Sequence, residues 1–190
     1  MCEPMCATTV CGTEALHGAI GFALTAVQGV APRMLARRTP CAAWDLGMLV
    51  RHLGESLAAL HEGMATGRVG TVPGDGEPPG DPVSALRVRA VRLLRASAAA
   101  RTVAVADRRL AGEVMARAGA VEVAVHGWDI AQATGEGLPL PAPLAADLLA
   151  VCPLVLPAPR RPLFADPVEP APDASPGDRL VALLGRRPAS

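Results

Sequence analysis

The stretch that most constrains this chain is Ala120-Val121-Glu122-Val123-Ala124-Val125-His126-Gly127-Trp128-Asp129-Ile130. It reads as the middle of a helix running from about Asp107 to Thr134. At about 100° per residue, Val114, Ala118, Val121, Val125 and Trp128 fall on one stripe. Glu122, His126 and Asp129 line up beside it, and Val123 and Ile130 lie further round. A helix that is apolar over most of its circumference belongs at the centre of a fold, and its few polar groups go inward with it. A buried carboxylate beside a buried imidazole is costly unless something pairs with them. Glu122 and His126, four residues apart, project from one face and can reach a common point. A metal ion is the simplest occupant of that point; a hydrogen-bonded polar cluster without metal is the alternative.

The rest of the chain supplies partners for such a helix. From Thr13 to about Arg37, the apolar positions Leu16, Ala19, Ile20, Ala23, Val27 and Val30 keep a helical rhythm, with His17 on the outer surface. Pro40 ends that rhythm. Asp45 is a suitable N-cap for a second helix through about Met64, whose core stripe is Leu46, Leu49, Val50, Leu53, Leu57 and Leu60. His52 sits on the flank of this stripe, roughly 120° from its centre, where a side chain looks along a seam between helices or half into solvent. His61 belongs to the outer end of the same helix, facing solvent.

A Gly- and Pro-rich loop follows from Gly67 to Pro82, long enough to cover a site. Asp81 and Pro82 then form an N-cap and first-turn pair. The third helix runs to about Ala100, with Val83, Leu86, Ala90, Leu93 and Leu94 inward and Arg87, Arg89, Arg92 and Arg95 mostly outward. No aromatic residues interleave with these arginines, so they read as a solvated face. Arg101 to Asp107 fits a short strand or a loop. Beyond the central helix, Pro139, Pro141 and Pro143 lead into a short apolar helix from Leu144 to about Val151, and Pro153, Pro157, Pro159 and Pro162 hold the chain extended. Ser175-Pro176-Gly177-Asp178 opens a last short helix, Arg179 to about Leu184, docked by Phe164, Leu180 and Leu183. Four long helices with short extras make an all-α four-helix bundle. The expected division is a bundle over 12–151 and a Pro-rich extension with a terminal helix over 152–190.

Composition excludes several classes of partner. Eighteen Arg and no Lys stand against 18 Asp and Glu, for a net charge of zero. A neutral chain without a basic block gives no reason to expect nucleic acid. There is no secretory signal pattern and no run of ~18 uncharged apolar residues, so a cytoplasmic protein that does not enter membranes is expected. The cysteines Cys2, Cys6, Cys11, Cys41 and Cys152 are odd in number and scattered, and read as thiols outside any disulfide framework. Trp44 and Trp128 are assigned to core packing.

The segments Thr39-Pro40-Cys41-x-x-Trp44-Asp45, then His52, then Glu122-x-x-x-His126-x-Trp128-Asp129-Ile130-Ala131-x-Ala133-Thr134-Gly135 resemble the DinB superfamily. Within it, the similarity is to the metal-binding domain of mycothiol-dependent maleylpyruvate isomerases and their single-domain actinobacterial relatives, from about Gly12 to Gly135. The tail from Asp173 to Arg186 resembles those relatives too. The resemblance implies a DinB-like bundle with a divalent metal held by His52, Glu122 and His126, a set that includes the Glu122 and His126 pair nominated by helical geometry. Two imidazoles and a carboxylate suit zinc, with nickel or iron as alternatives, and three protein ligands leave open positions. Asp129 is then a candidate to orient a ligand from behind.

The implied chemistry is activation of a thiol, mycothiol as cosubstrate, for attack on a small electrophilic substrate in an isomerase or transferase reaction. The isomerases carry a further domain for their dicarboxylate substrate, so maleylpyruvate itself is not expected here. A non-catalytic metal-binding module, serving as sensor or interaction partner, and a metal-assisted hydrolase are the competing readings. Pairing of bundles through an exposed helix face makes a homodimer a further expectation.

Overall fold

The computed structural model describes residues 11–41, 44–70, 80–96, 102–156, 160 and 165–188. Helix α1 (Gly12–Ala26) is followed by two 3-10 turns, Val27–Gly29 and Pro32–Met34, and then by α2 (Leu46–Thr66). A short strand β1 (Arg68–Val69) precedes α3 (Pro82–Arg95), and the hairpin strands β2 (Thr102–Val105) and β3 (Arg108–Ala111) lead into α4 (Gly112–Thr134). Helices α5 (Ala142–Val155) and α6 (Pro176–Leu183) complete the order. Helices α1 to α4 form the expected bundle: α1 lies along α4, and α2 packs on both α3 and α4. The small sheet has the order β1-β2-β3, with β1 parallel to β2 and β2 antiparallel to β3.

Local signals account for most of these boundaries. The Asp45 side chain accepts the Met48 N–H and starts α2, whose six predicted core residues are all buried; Gly67, with φ 74°, ends it. Asp81 accepts from the Val83 and Ser84 N–H groups at the start of α3, where Val83, Leu86, Ala90 and Leu93 are buried and Leu94 is half-buried. The Ser175 hydroxyl caps α6, which starts at Pro176 rather than Arg179 and docks with Leu180 fully buried.

Several expectations need correction. Helix α3 ends at Arg95, with Ala96 already extended, rather than at about Ala100. Helix α1 does not continue to Arg37: the apolar rhythm persists through Val27, but Pro32 lacks the N–H an α-helix needs, and the chain takes 3-10 turns instead. Helix α4 begins at Gly112 rather than Asp107, because 102–111 fold back as a hairpin whose turn holds Ala106 at φ 52°. Val114 is consequently exposed, and Met115, Ala116 and Gly119 carry the burial of the first turns. Helix α5 runs through Pro153 to Val155, since a proline in the last turn forfeits only one hydrogen bond. His17 is exposed as expected, whereas His61 is half-buried.

The expectations for Cys2, Cys6, Pro157, Pro159, Pro162 and Phe164, and for most of the 67–82 loop, fall outside the described residues. The first described residues of that loop, Gly67 to Gly70, follow the C-terminal end of α2, about 20 Å along the axis from His52. Helix α3, into which the loop leads, lies beside the α2 turn that follows His52, with Leu86 and Arg89 next to Gly54. No helix among the described residues is long and apolar enough to cross a membrane.

The central helix is packed tightly enough to leave no room for side chains at Gly119 and Gly127. A Cβ at Gly119 would meet Leu60 at 2.5 Å, and one at Gly127 would meet the Phe22 ring at 3.0 Å and the Ala23 backbone at 3.1 Å. Gly21, on the outer face of α1, has open space around it. Replacing Gly21 with Ala should therefore raise stability by about 1 kcal/mol through helix propensity alone. Gly127→Ala gains the same propensity but pushes on the α1 backbone, so it should fall below Gly21→Ala by about 1–3 kcal/mol in urea unfolding. Equal stability of the two variants would mean that α1 and α4 can slide apart at no cost.

Candidate metal centre

The site is built where the start of α2 meets the second half of α4. The segment before α2 is fixed from both sides. Arg37 Nη1 donates to the Ala133 and Thr134 carbonyls at 3.2 and 3.1 Å, tying the segment to the end of α4. The Thr39 hydroxyl lies 2.9 Å from the carbonyls of both Cys41 and Trp44. Backbone bonds from Leu46 to Arg37 and from Gly47 to Leu35 hold it against the first turn of α2. These constraints set Trp44 over the site, its ring centroid 4.2 Å from that of His52 and 5.8 Å from that of His126.

His52 reaches in from the second turn of α2. Its Nε2 lies 2.8 Å from Glu122 Oε1, and His126 Nε2 lies 3.4 Å from the same oxygen. The Ser56 hydroxyl, one turn beyond His52, donates to that oxygen at 3.3 Å. One ligand atom from each of His52, Glu122 and His126 falls within 4.8 Å of the other two. The donor set fits a divalent cation: two imidazole nitrogens and a carboxylate oxygen converge on a small volume. Access is lopsided, because the side chains of His52 and Glu122 are 34% and 31% exposed whereas that of His126 is 6% exposed.

Behind His126 lies a second layer. Its Nδ1 is 3.0 Å from Oδ2 of Asp129, which is fully buried. Arg186 completes the layer, with Nη2 donating to Asp129 Oδ2 at 2.9 Å and Nε to Oδ1 at 3.3 Å. A carboxylate paired with Arg186 offers only acceptors, so the proton in its bond to His126 resides on Nδ1. The Nε2 position is thereby left to face Glu122 and His52.

The electrostatics follow from these contacts. Burial alone would raise the Glu122 carboxyl, but hydrogen bonds from His126 and His52 outweigh it and hold the group well below the usual carboxylate range. Burial likewise opposes the imidazolium form of His126, yet bonds to Asp129 and Glu122 prevail and push it up to about 9. Without a metal, the doubly protonated ring donates to both carboxylates.

All three residues nominated from sequence come together, and Asp129 lies directly behind one of them. Trp128 is core, as expected. Trp44 is only half-buried and forms a wall of the site as well as packing on the core. Two participants went unnoticed in the sequence. Ser56 was detectable, since it follows His52 by one helical turn on the same face. Arg186 was not, because it comes from the tail, and no helical spacing connects it with Asp129. Cys11 is exposed, and Cys152 is a buried thiol pushed up to about 11 by desolvation; neither belongs to the site.

A model of the family described as the mycothiol maleylpyruvate isomerase N-terminal domain matches residues 16–131. The chain belongs to this family. No curated protein and no solved structure gives a match. The span shared with the mycothiol maleylpyruvate isomerase N-terminal domain contains His52, Ser56, Glu122, His126 and Asp129, and leaves Arg186 outside it.

The metal-free protein should carry the signature of these contacts in its pH–stability profile. The His126 value is raised from about 6.5 to about 9, so its contribution is fully present below about 6.5 and is lost as pH rises through about 9. The expected loss over that window is on the order of 2–4 kcal/mol. Glu122, lowered from about 4.5, contributes above that value and loses its contribution as pH falls. The two limbs share the Glu122–His126 contact and are not additive. Urea unfolding between pH 6 and 10 tests this: a flat profile in the wild type, or a slope that persists in His126→Gln, contradicts the assignment.

Proposed function

We propose that this domain binds a divalent metal through His52, Glu122 and His126 and uses it to activate a low-molecular-weight thiol against a small electrophile. Zinc is the first choice for this donor set, with nickel or iron as alternatives. The observation that carries the reading is the convergence of these ligand atoms within 4.8 Å, in a chain of the mycothiol isomerase domain family. When bound, the ion supplies Lewis-acid charge that lowers the pKa of a thiol enough for thiolate to exist at neutral pH.

The chain's own residues do the rest. Glu122 and the two histidines set the position, and the exposed flanks of His52 and Glu122 define the side from which a thiol approaches. Trp44 packs against His52, the two rings tilted by 41° with centroids 4.2 Å apart, and restrains how that imidazole can turn. Ser56 donates to Glu122 Oε1 and thus restrains which way that carboxylate turns. Asp129 accepts the hydrogen bond from the Nδ1–H of His126 and keeps Nε2 directed into the site. The thiol is mycothiol in this reading, and its thiolate adds to an electrophilic carbon. The C–S bond is kept in a transfer; in an isomerisation it breaks again to expel the thiolate once the intermediate has rotated. The proposed setting is the cytoplasm.

Elemental analysis of the purified protein is the first test. About one divalent ion per chain is expected. His126→Ala should lose it while remaining folded by circular dichroism. Mycothiol-dependent consumption of an electrophile by wild type but not by His126→Ala would then support catalysis. Metal without thiol-dependent turnover would favour a binding or sensing module. Absence of metal in both proteins, even after incubation with zinc or nickel, would overturn the proposal.

A further inference from the structure

The connection between the C-terminal tail and the centre of the bundle suggests a role for the tail in the site. Helix α6 ends in a left-handed turn at Gly185, φ 82°. The Gly185 N–H bonds to the Ala182 carbonyl and the Arg186 N–H to the Val181 carbonyl, closing the helix and directing the Arg186 side chain inward. A Cβ at Gly185 would lie 2.6 Å from that of Ala165, so no other residue fits this turn unstrained. The Arg186 guanidinium is then held by Nη1 donating to the Leu184 carbonyl at 2.8 Å, and its side chain is only 11% exposed. Its Nε and Nη2 meet the two oxygens of Asp129.

We infer that Arg186 is a positioning residue for the metal centre: by gripping both oxygens of Asp129, it fixes the carboxylate that orients His126. The inference rests on the proposed triad. Asp129 has no solvent contact, so its charge needs a partner inside the protein. A single hydrogen bond from His126 would leave the carboxylate free to rotate about its own axis, and the imidazole to follow. Two contacts from a planar guanidinium remove that freedom. The ring of His126 is thereby locked with Nδ1 backwards and Nε2 forwards, and the segment beyond the matched 16–131 span becomes a component of the site.

A tail that merely braces the fold predicts different behaviour, and Arg179 provides the comparison. It donates to the carbonyls of Ala174 and Pro172, bracing the same tail without touching Asp129. In the full chain, zinc affinity by competition with a chromophoric chelator, and the visible spectrum of the cobalt-loaded protein, should be compared among variants. Arg186→Ala should bind zinc about 10- to 100-fold more weakly and shift the cobalt bands. Arg186→Lys should recover part of both, and Arg179→Ala should leave both as in wild type. Should Arg186→Ala fail to fold, Arg186→Lys carries the test, with weakened zinc binding and shifted bands at an unchanged thermal midpoint. Wild-type affinity and spectrum in the Arg186 variants, or equal losses in Arg179→Ala, would overturn the inference. Failure of the wild type to bind zinc or cobalt would instead remove the triad itself.

Discussion

The centre of this bundle depends on keeping a charge where water does not reach. Asp129 is wholly enclosed, on a helix whose other inward residues, His126 apart, are alanine, valine, glycine, methionine, isoleucine and tryptophan. An isolated carboxylate in such surroundings would cost several kcal/mol, enough to consume much of a domain's net stability. The structure meets that cost with an imidazole on one side and a guanidinium on the other. The surrounding organisation follows: His126 is anchored from behind, Glu122 is presented one turn earlier, and α2 brings His52 to the same carboxylate oxygen.

Close packing makes this arrangement rigid. Gly119 makes room for the Leu60 side chain of α2, and Gly127 lets the α1 backbone at Ala23 come close to α4, so the ligands sit on helices with little freedom to shift relative to one another. Rigid elements are the appropriate mounting for a site that must hold three donors within a few ångströms. The connection before α2 contributes in another way: bonds from Arg37 and Thr39 transfer the rigidity of α4 to the indole of Trp44. The Thr-Pro-Cys-x-x-Trp-Asp block therefore has a physical rationale that unites a helix cap with a wall of the site.

The sequence disclosed these features unevenly, for identifiable reasons. In α2, the cap residue, the apolar period and the terminal glycine all agree, and the helix lies close to where they put it. In α4, nearly every position is apolar or small, so periodicity alone could not select the buried face, and Val114 was assigned inward although it is exposed. The hairpin before α4 lacks the glycine or asparagine that normally marks a tight turn, using Ala106 instead. Glu122 and His126 were legible because helical geometry alone brings them together. His52 needed the tertiary arrangement of α2 against α4, or a family resemblance, to join them. Arg186 needed the tertiary structure itself, since 57 residues separate it from Asp129.

The uneven exposure of the three side chains gives the cluster a front and a back. His52 and Glu122 are reachable, while His126 is shielded by the helix that bears it and by the tail behind. Among the described residues, anything arriving at the cluster therefore meets the α2 imidazole and the carboxylate before the α4 imidazole. Two small molecules arriving through that exposed doorway would compete for it, so occupancy by one hinders the other. Bulk at the doorway, rather than at the buried end, is what can distinguish one small molecule from another.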